Sequence, residues 1–330
     1  MRTRPLALAC LLALGAFAAV FARPASGQSS PTLLVVNKIE STLAFVDPAT
    51  GQVTGRVLTG DGPHEVVTDG TRAYVSNYGG QTPGATLSII DLASRKETRR
   101  VDLGPLRRPH GMALAEGKVY FTAETNRVVA RYDPAADRVD WVMGTGQAGT
   151  HMIAAHGGGA AFFTTNIGSD TVSVLARGAG PLAWTVGTIA VGKGPEAIDI
   201  SPDGTQVWVA HSRDGGVSVI DIASSTVAHT FDLRTKRSNR LKFTPDGALV
   251  LVSDLDGGEL VVADAGRRAE LKRIPLGRSP EGILVEPGGA RAYVAVTGDN
   301  VVAVIDLETL QVIGRIETGA GPDGMAWVAR

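Results

Sequence analysis

The chain has 330 residues, a formal charge of −1, 41 glycines, 17 prolines and only 5% aromatic residues. Such a length supports one large core or two small ones, and many glycines among apolar β-branched runs favour an all-β protein rich in turns. The near-neutral balance argues against a nucleic-acid binder, and the single cysteine, Cys10, excludes an internal disulfide framework.

Arg2 and Arg4 open the chain, an apolar run extends from Leu6 to Phe21, and Ala25-Ser26-Gly27 places small residues at a cleavage point. This pattern predicts a secretory signal peptide over residues 1–27. The apolar run is short for a membrane anchor, and Ala7-Leu8-Ala9 before Cys10 is a weak match to a lipid-attachment site. Cleavage after Gly27 would remove Arg2, Arg4, Arg23 and Cys10, leaving a thiol-free and more acidic chain from residue 28 to 330. That mature chain is expected to be one domain, without a membrane span, monomeric, and exported to a periplasm or the exterior.

Three apolar runs follow: Leu33–Asn37, Thr42–Asp47 and Gln52–Val57. After them a short pattern recurs, a Pro or small residue, a polar residue, a variable residue and an apolar one. It reads Pro63-His64-Glu65-Val66, Pro109-His110-Gly111-Met112, Thr150-His151-Met152-Ile153, Pro195-Glu196-Ala197-Ile198, Ser238-Asn239-Arg240-Leu241, Pro280-Glu281-Gly282-Ile283 and Pro322-Asp323-Gly324-Met325. The starts are spaced by 46, 41, 45, 43, 42 and 42 residues. Seven copies at that period predict a seven-bladed β-propeller of four-stranded antiparallel blades.

Each unit reads as four strands. The first runs from the polar position to a turn such as Ser201-Pro202-Asp203-Gly204 or Thr244-Pro245-Asp246-Gly247, where Pro fixes one φ and Gly takes the positive one. The second resembles Ala73-Tyr74-Val75-Ser76-Asn77, the third Leu87-Ser88-Ile89-Ile90-Asp91, and the fourth Gln311–Ile316. The seventh copy has only a first strand, and the three N-terminal runs match the strands it lacks. The last blade is therefore expected to be shared between the termini, which removes the free sheet edge.

Tyr74-Val75-Ser76-Asn77, the Pro-Asp-Gly turns and the Ile-Asp endings of the third strands resemble the YVTN-repeat (YncE-like) propellers over nearly the whole mature chain. That resemblance implies the fold and leaves the function open, because the family has mixed roles. Pro109-His110-Gly111-Met112, Val119-Tyr120-Phe121-Thr122 and Arg131-Tyr132-Asp133-Pro134 resemble one repeat of the streptogramin lyases.

In a propeller the first strands line the central channel. The polar position then builds a ring at one mouth: His64, His110, His151, Glu196, Asn239, Glu281 and Asp323. Half of the six histidines occupy this position on three consecutive blades. Three imidazoles able to converge on one point suit a divalent metal ion, with zinc, copper, iron, manganese or magnesium open, and Glu281 or Asp323 as further ligand, supporting partner or base. The alternative is a wet rim whose polar residues have no task. The ends of the second strands are expected at the same face, bringing Asn77, Glu124, Asn166, His211 and Asp254, of which His211 is a candidate for ligand binding. His156 and His229 carry no such expectation. Arg107, Arg108, Arg234, Lys236, Arg237 and Arg240 fall near the mouth and suit an anionic group or a solvated loop.

No P-loop, dinucleotide fingerprint, Gly-x-Ser-x-Gly elbow or haem attachment motif is present, so neither nucleotide nor haem is expected. Two functions remain open on the residues. One is an exported binding module whose mouth holds a metal, a small anionic ligand or a protein partner. The other is an enzyme: the lyase resemblance implies a metal-dependent lyase or lactonase, with His110 or His151 as base and Glu281 or Asp323 holding metal.

Overall fold

The computed structural model describes residues 30–180 and 183–329. The signal-peptide segment and Cys10 lie outside the described residues. Seven four-stranded antiparallel sheets form a ring, a seven-bladed β-propeller. We number the blades by their first strands: Pro63–Thr68 (blade 1), Pro109–Ala115 (2), Thr150–His156 (3), Pro195–Ile200 (4), Ser238–Phe243 (5), Pro280–Val285 (6) and Pro322–Val328 (7). Blade 7 takes its other three strands from Thr32–Asn37, Thr42–Asp47 and Gln52–Leu58, with Thr32 opposite Val328 and Asn37 opposite Pro322. The two ends of the described chain thus close the ring.

Burial follows position in the blade. Second and third strands are covered on both faces by neighbouring blades, so Ala73–Asn77 and Val217–Ile220 are wholly buried, with Ser76, Asn77 and Ser218 the polar residues among them. Fourth strands form the rim and alternate, as in Gln52–Leu58. Aromatic rings fill the seams between blades: Tyr120 lies 4.1 Å from Phe162, and Trp208 5.2 Å from Phe243, between ring centroids.

The turn motifs have local causes. The Ile-Asp ending places a carboxylate where it accepts a backbone N–H three residues on: Ser94 to Asp91 at 2.7 Å, Ser224 to Asp221 at 2.8 Å and Thr309 to Asp306 at 2.7 Å. In the Pro-Asp-Gly turns Gly204 and Gly247 both sit at φ +71°, the left-handed region that glycine enters freely.

One irregularity recurs in every blade and positions the mouth. Each first strand is bulged at its polar residue. Pairing slips between Pro63 and Glu65, Pro109 and Met112, Thr150 and Ile153, Pro195 and Ala197, Ser238 and Arg240, and Pro280 and Ile283, and again where Pro322 meets Asn37. A bulge re-aims the side chain it carries. Here it releases the ring residue from the sheet alternation.

Candidate functional site at the channel mouth

Hydroxyl side chains on the second strands hold the bulges. Ser76 accepts from the backbone N–H of Glu65 at 3.1 Å, and Ser253 from that of Arg240 at 3.0 Å. The same hydroxyls reach the next blade: Ser76 donates to the carbonyl of His110 at 3.0 Å, Thr122 to that of His151 at 2.5 Å and Ser253 to that of Glu281 at 2.8 Å. Mouth residues are therefore fixed through their backbones by neighbouring blades, which leaves their side chains free to serve the channel.

The three first-strand histidines come together as the repeat predicts. Ring centroids of His64 and His110 are 4.8 Å apart, and those of His110 and His151 3.9 Å. The rings stand side by side rather than converged on one point. Among the described residues no group of three or more His, Cys, Asp or Glu side chains has the spacing of a ready-made metal cage.

Each histidine has a different setting. His151 Nδ1 meets Glu124 Oε1, and Tyr78 donates its hydroxyl to Glu124 Oε2 at 2.5 Å. Burial opposes ionisation of Glu124, but the bonds from His151 and Tyr78 outweigh it and hold the carboxyl below its ordinary range. An ionised carboxylate only accepts, so His151 donates from Nδ1 and its lone pair lies on Nε2. That Nε2 is buried and has no hydrogen-bond partner. His110 is 3% exposed, and its Nδ1 is also buried without a partner. Burial first, then the neighbouring His151 and His64, push its pKa well below 6.5, so it is neutral. His64 Nδ1 lies 2.9 Å from Asp323 Oδ2, off the line of a good hydrogen bond.

The other side of the mouth is charged and largely self-neutralised. Asp323 is fully buried and neither of its oxygens has an aligned donor. Burial would keep it protonated, yet Lys38, His64 and Arg240 together hold its pKa well below the usual carboxylate range. Lys38 contacts Glu281 and stands 3.5 Å from Asp323. Burial and the Asp323 charge raise the Glu281 pKa despite Lys38. Asn239 donates to Glu196 at 2.8 Å. Arg240 is buried and bridges the channel to Glu65, with further bonds to the carbonyl and side-chain oxygens of Asn239, both at 3.1 Å. Above this bridge lies an open hollow of about 320 Å³, lined by the three histidines, Tyr78, Lys38 and Glu281 on one side and by Glu196, Arg237, Asn239, Arg240 and Leu255 on the other.

His211 is not brought to this mouth. It is 1% exposed, with Nδ1 2.9 Å from Asp214 and Nε2 3.0 Å from Ser218. The trio has the chemistry of a nucleophilic triad, but Ser218 is equally buried, and the same position on other blades holds Asn37, Asn77 and Asn166 in matching bonds to third-strand hydroxyls. It is a latch between strands. Asp254 is another, accepting the backbone N–H groups of Lys236 and Arg237 at 2.9 Å each. The expectation that second-strand ends reach the mouth therefore fails for His211, Asn77, Asn166 and Asp254, because they bond within the blade, with Asn77 Oδ1 alone left unpartnered. Glu124, just past a strand end in a 3-10 turn, does reach it.

Tyr78, Lys38 and Glu65 are mouth residues that sequence reasoning missed. Tyr78 packs 4.7 Å from His64 and edge-on at 5.3 Å from His110, under the Arg108 guanidinium at 4.6 Å. It sits at the edge of a loop that only blade 1 lengthens.

No protein-family model and no curated protein matches the chain. Solved structures do. The periplasmic gluconolactonase PpgL of Pseudomonas aeruginosa superposes with a TM-score of 0.73 at 21% identity, covering 91% of this chain and 99% of that one. A Bacteroides fragilis protein provisionally described as a 6-phosphogluconolactonase gives 0.78 at 14% identity, covering 93% and 100%. A chain of hydrazine synthase from Kuenenia stuttgartiensis gives 0.72 at 19%, covering 83% and 92%. At these identities the likeness concerns the fold, and all three are chains that superpose on a β-propeller.

Proposed function

We propose that this is an exported binding propeller whose histidine mouth takes up a divalent transition-metal ion and presents it to a small ligand in the hollow. One observation carries the reading: His110 Nδ1 and His151 Nε2 are buried beside an open hollow with no partner. An unmade buried hydrogen bond costs about 1–3 kcal/mol, so two in adjacent rings beside one hollow support a bound partner there.

The donor types suit a metal, although the rings would have to turn from their side-by-side arrangement to share one ion. Glu124 orients His151 as a carboxylate orients a metal-binding imidazole, and burial keeps His110 in the neutral form that coordinates. His64, His110 and His151 would hold the ion, and Asp323 stands behind His64. Imidazole suits zinc, copper, iron or nickel better than magnesium or manganese. When bound, such an ion would polarise an oxygen atom of the ligand. The leader-like residues 1–27 support export, and the YVTN-like strands support a binding role.

Calorimetric titration with zinc, copper, nickel and manganese tests this. Wild type should bind one of the first three with near-unit stoichiometry, and the variant with His64, His110 and His151 all replaced by Ala should not. If wild type binds none more tightly than the triple variant, the metal reading fails.

A second reading, a metal-dependent lactonase or lyase in which Glu281 or Asp323 and not His110 holds the metal, is favoured by His110, a neutral and unpartnered base facing the hollow. It also draws on two fold neighbours described as lactonases. A screen of lactones with zinc-loaded protein should then show ring opening that His110→Asn abolishes. Equal turnover by that variant would remove His110 from any such role.

A further inference from the structure

We infer that the mouth is built for a small molecule carrying an oxyanion, a carboxylate or a phosphate, and that Arg237 grips it from the wall opposite the histidines. This rests on the mouth being a ligand site, but not on a metal ion being bound there.

Three cations face the hollow, and two are spent. Lys38 is held by Glu281 and Asp323. The Arg240 guanidinium is engaged by Glu65 and twice by Asn239. Arg237 differs. Its side chain is 46% exposed, and the nearest carboxylate oxygen, on Glu196, is 3.8 Å away. That is beyond hydrogen-bond range, and the same oxygen already accepts from Asn239 at 2.8 Å. Among the described residues no hydrogen bond from the Arg237 guanidinium is formed.

A half-exposed arginine is ordinary on a surface. This one lines a concave site whose opposite wall holds the two orphaned imidazole nitrogens, so a free donor fork faces the His151 Nε2 acceptor across about 320 Å³, which suits a ligand carrying a hydroxyl as well as an oxyanion. That volume is at the small end for ligand sites and suits a small acid or phosphate ester. The Arg237 backbone is pinned as well, since Asp254 accepts the N–H groups of both Lys236 and Arg237. The loop is thus preorganised while the fork of donors stays free. A planar guanidinium fork matches carboxylate and phosphate oxygens in pairs, with a geometry that an ammonium cannot reproduce.

The test is an NMR titration of metal-free and zinc-loaded protein with inorganic phosphate, with lactate, and with the uncharged lactamide. Phosphate, lactate or both should bind saturably to wild type, and lactamide should bind at least tenfold more weakly than lactate. Arg237→Ala should raise the anion Kd by about 10-fold or more, the loss expected for a charged hydrogen-bonded pair. Arg237→Lys should fall between the two. The Asp254 latch uses only backbone groups at this residue, so thermal melting of all three proteins should coincide. Binding of only one anion with that dependence supports the inference and narrows the class. Anion binding that depends on Arg237 in a protein that takes no zinc upholds it while the metal reading falls. If zinc binds but neither anion does, the inference is overturned and the metal reading stands; if Arg237→Ala binds anions as tightly as wild type, the inference is overturned whatever the zinc result.

Discussion

Two rings of buried polar side chains circle this propeller, one at the ends of the second strands and one at the channel mouth, and they differ in how fully they are bonded. In the outer ring Asn37, Asn77, Asn166 and His211 reach neighbouring hydroxyls at 2.9–3.1 Å, and His211 also reaches Asp214. In the inner ring His64, His110, His151 and Asp323 keep five buried atoms without an aligned partner, against one in the outer ring, Asn77 Oδ1. Burial alone therefore does not tell the bonded histidine of one ring from the under-bonded histidines of the other. Counting bonds at both ring nitrogens does, because a saturated imidazole stabilises the fold whereas an unsaturated one lowers stability until something binds.

The comparison can be broken most directly through stability. His211→Ala strands the buried Ser218 hydroxyl and leaves a cavity, and it should lower the unfolding free energy by about 2–4 kcal/mol in urea melts. His211→Asn, which installs the residue other blades use, should recover part of that. At the mouth His110→Asn should change stability by about 0.5 kcal/mol or less, since no hydrogen bond to its ring is lost. Equal losses at His211 and His110 would show that the two rings do the same work.

Acidity gives a smaller effect. Burial holds the pKa of both His110 and His211 below 6.5, that of His110 furthest. Each stays neutral in the fold while the unfolded chain takes up a proton, so stability rises with pH between the folded pKa and about 6.5. It is lost as pH drops below about 6.5, by at most about 1.4 kcal/mol per pH unit for each proton. Glu281, raised above its ordinary value of 4.5, works in the opposite direction. The readout is therefore the difference between wild type and His110→Asn in urea midpoints from pH 7.5 to 5. The variant should lose less stability over that range, and parallel curves would mean that His110 titrates normally.

Much of the architecture was legible because it is periodic. All seven first strands begin at the residue where the repeat motif begins, from Pro63 to Pro322, and the Ile-Asp and Pro-Asp-Gly signals carry their own hydrogen bonds. The three histidines of the mouth were legible for the same reason. Fates decided by partners were not. His211 could be placed by register but not by its bonds to Asp214 and Ser218, and Lys38 enters from a turn of the closing blade that the repeat does not mark. One signal was present and unread. The third motif position is small or apolar on five blades, and a Cβ on Gly111, Gly282 or Gly324 would come within 2.6 Å of the next blade's backbone. Against that crowding Glu65 and Arg240 are the two charged exceptions, one of each sign on opposite sides of the ring.

That pair has a consequence for traffic through the molecule. The bridge from Arg240 to Glu65 crosses the bore, and a second chamber of about 290 Å³, walled by aliphatic side chains, three methionines and the Asp199–Lys242 pair, lies beyond it. The bore is thus two hollows that meet at one ion pair. A ligand that reaches the histidines from the mouth meets this pair before the inner hollow, so passage between the two runs past it. Arg240 borders both hollows, which makes a single guanidinium the partition through which either could sense the other.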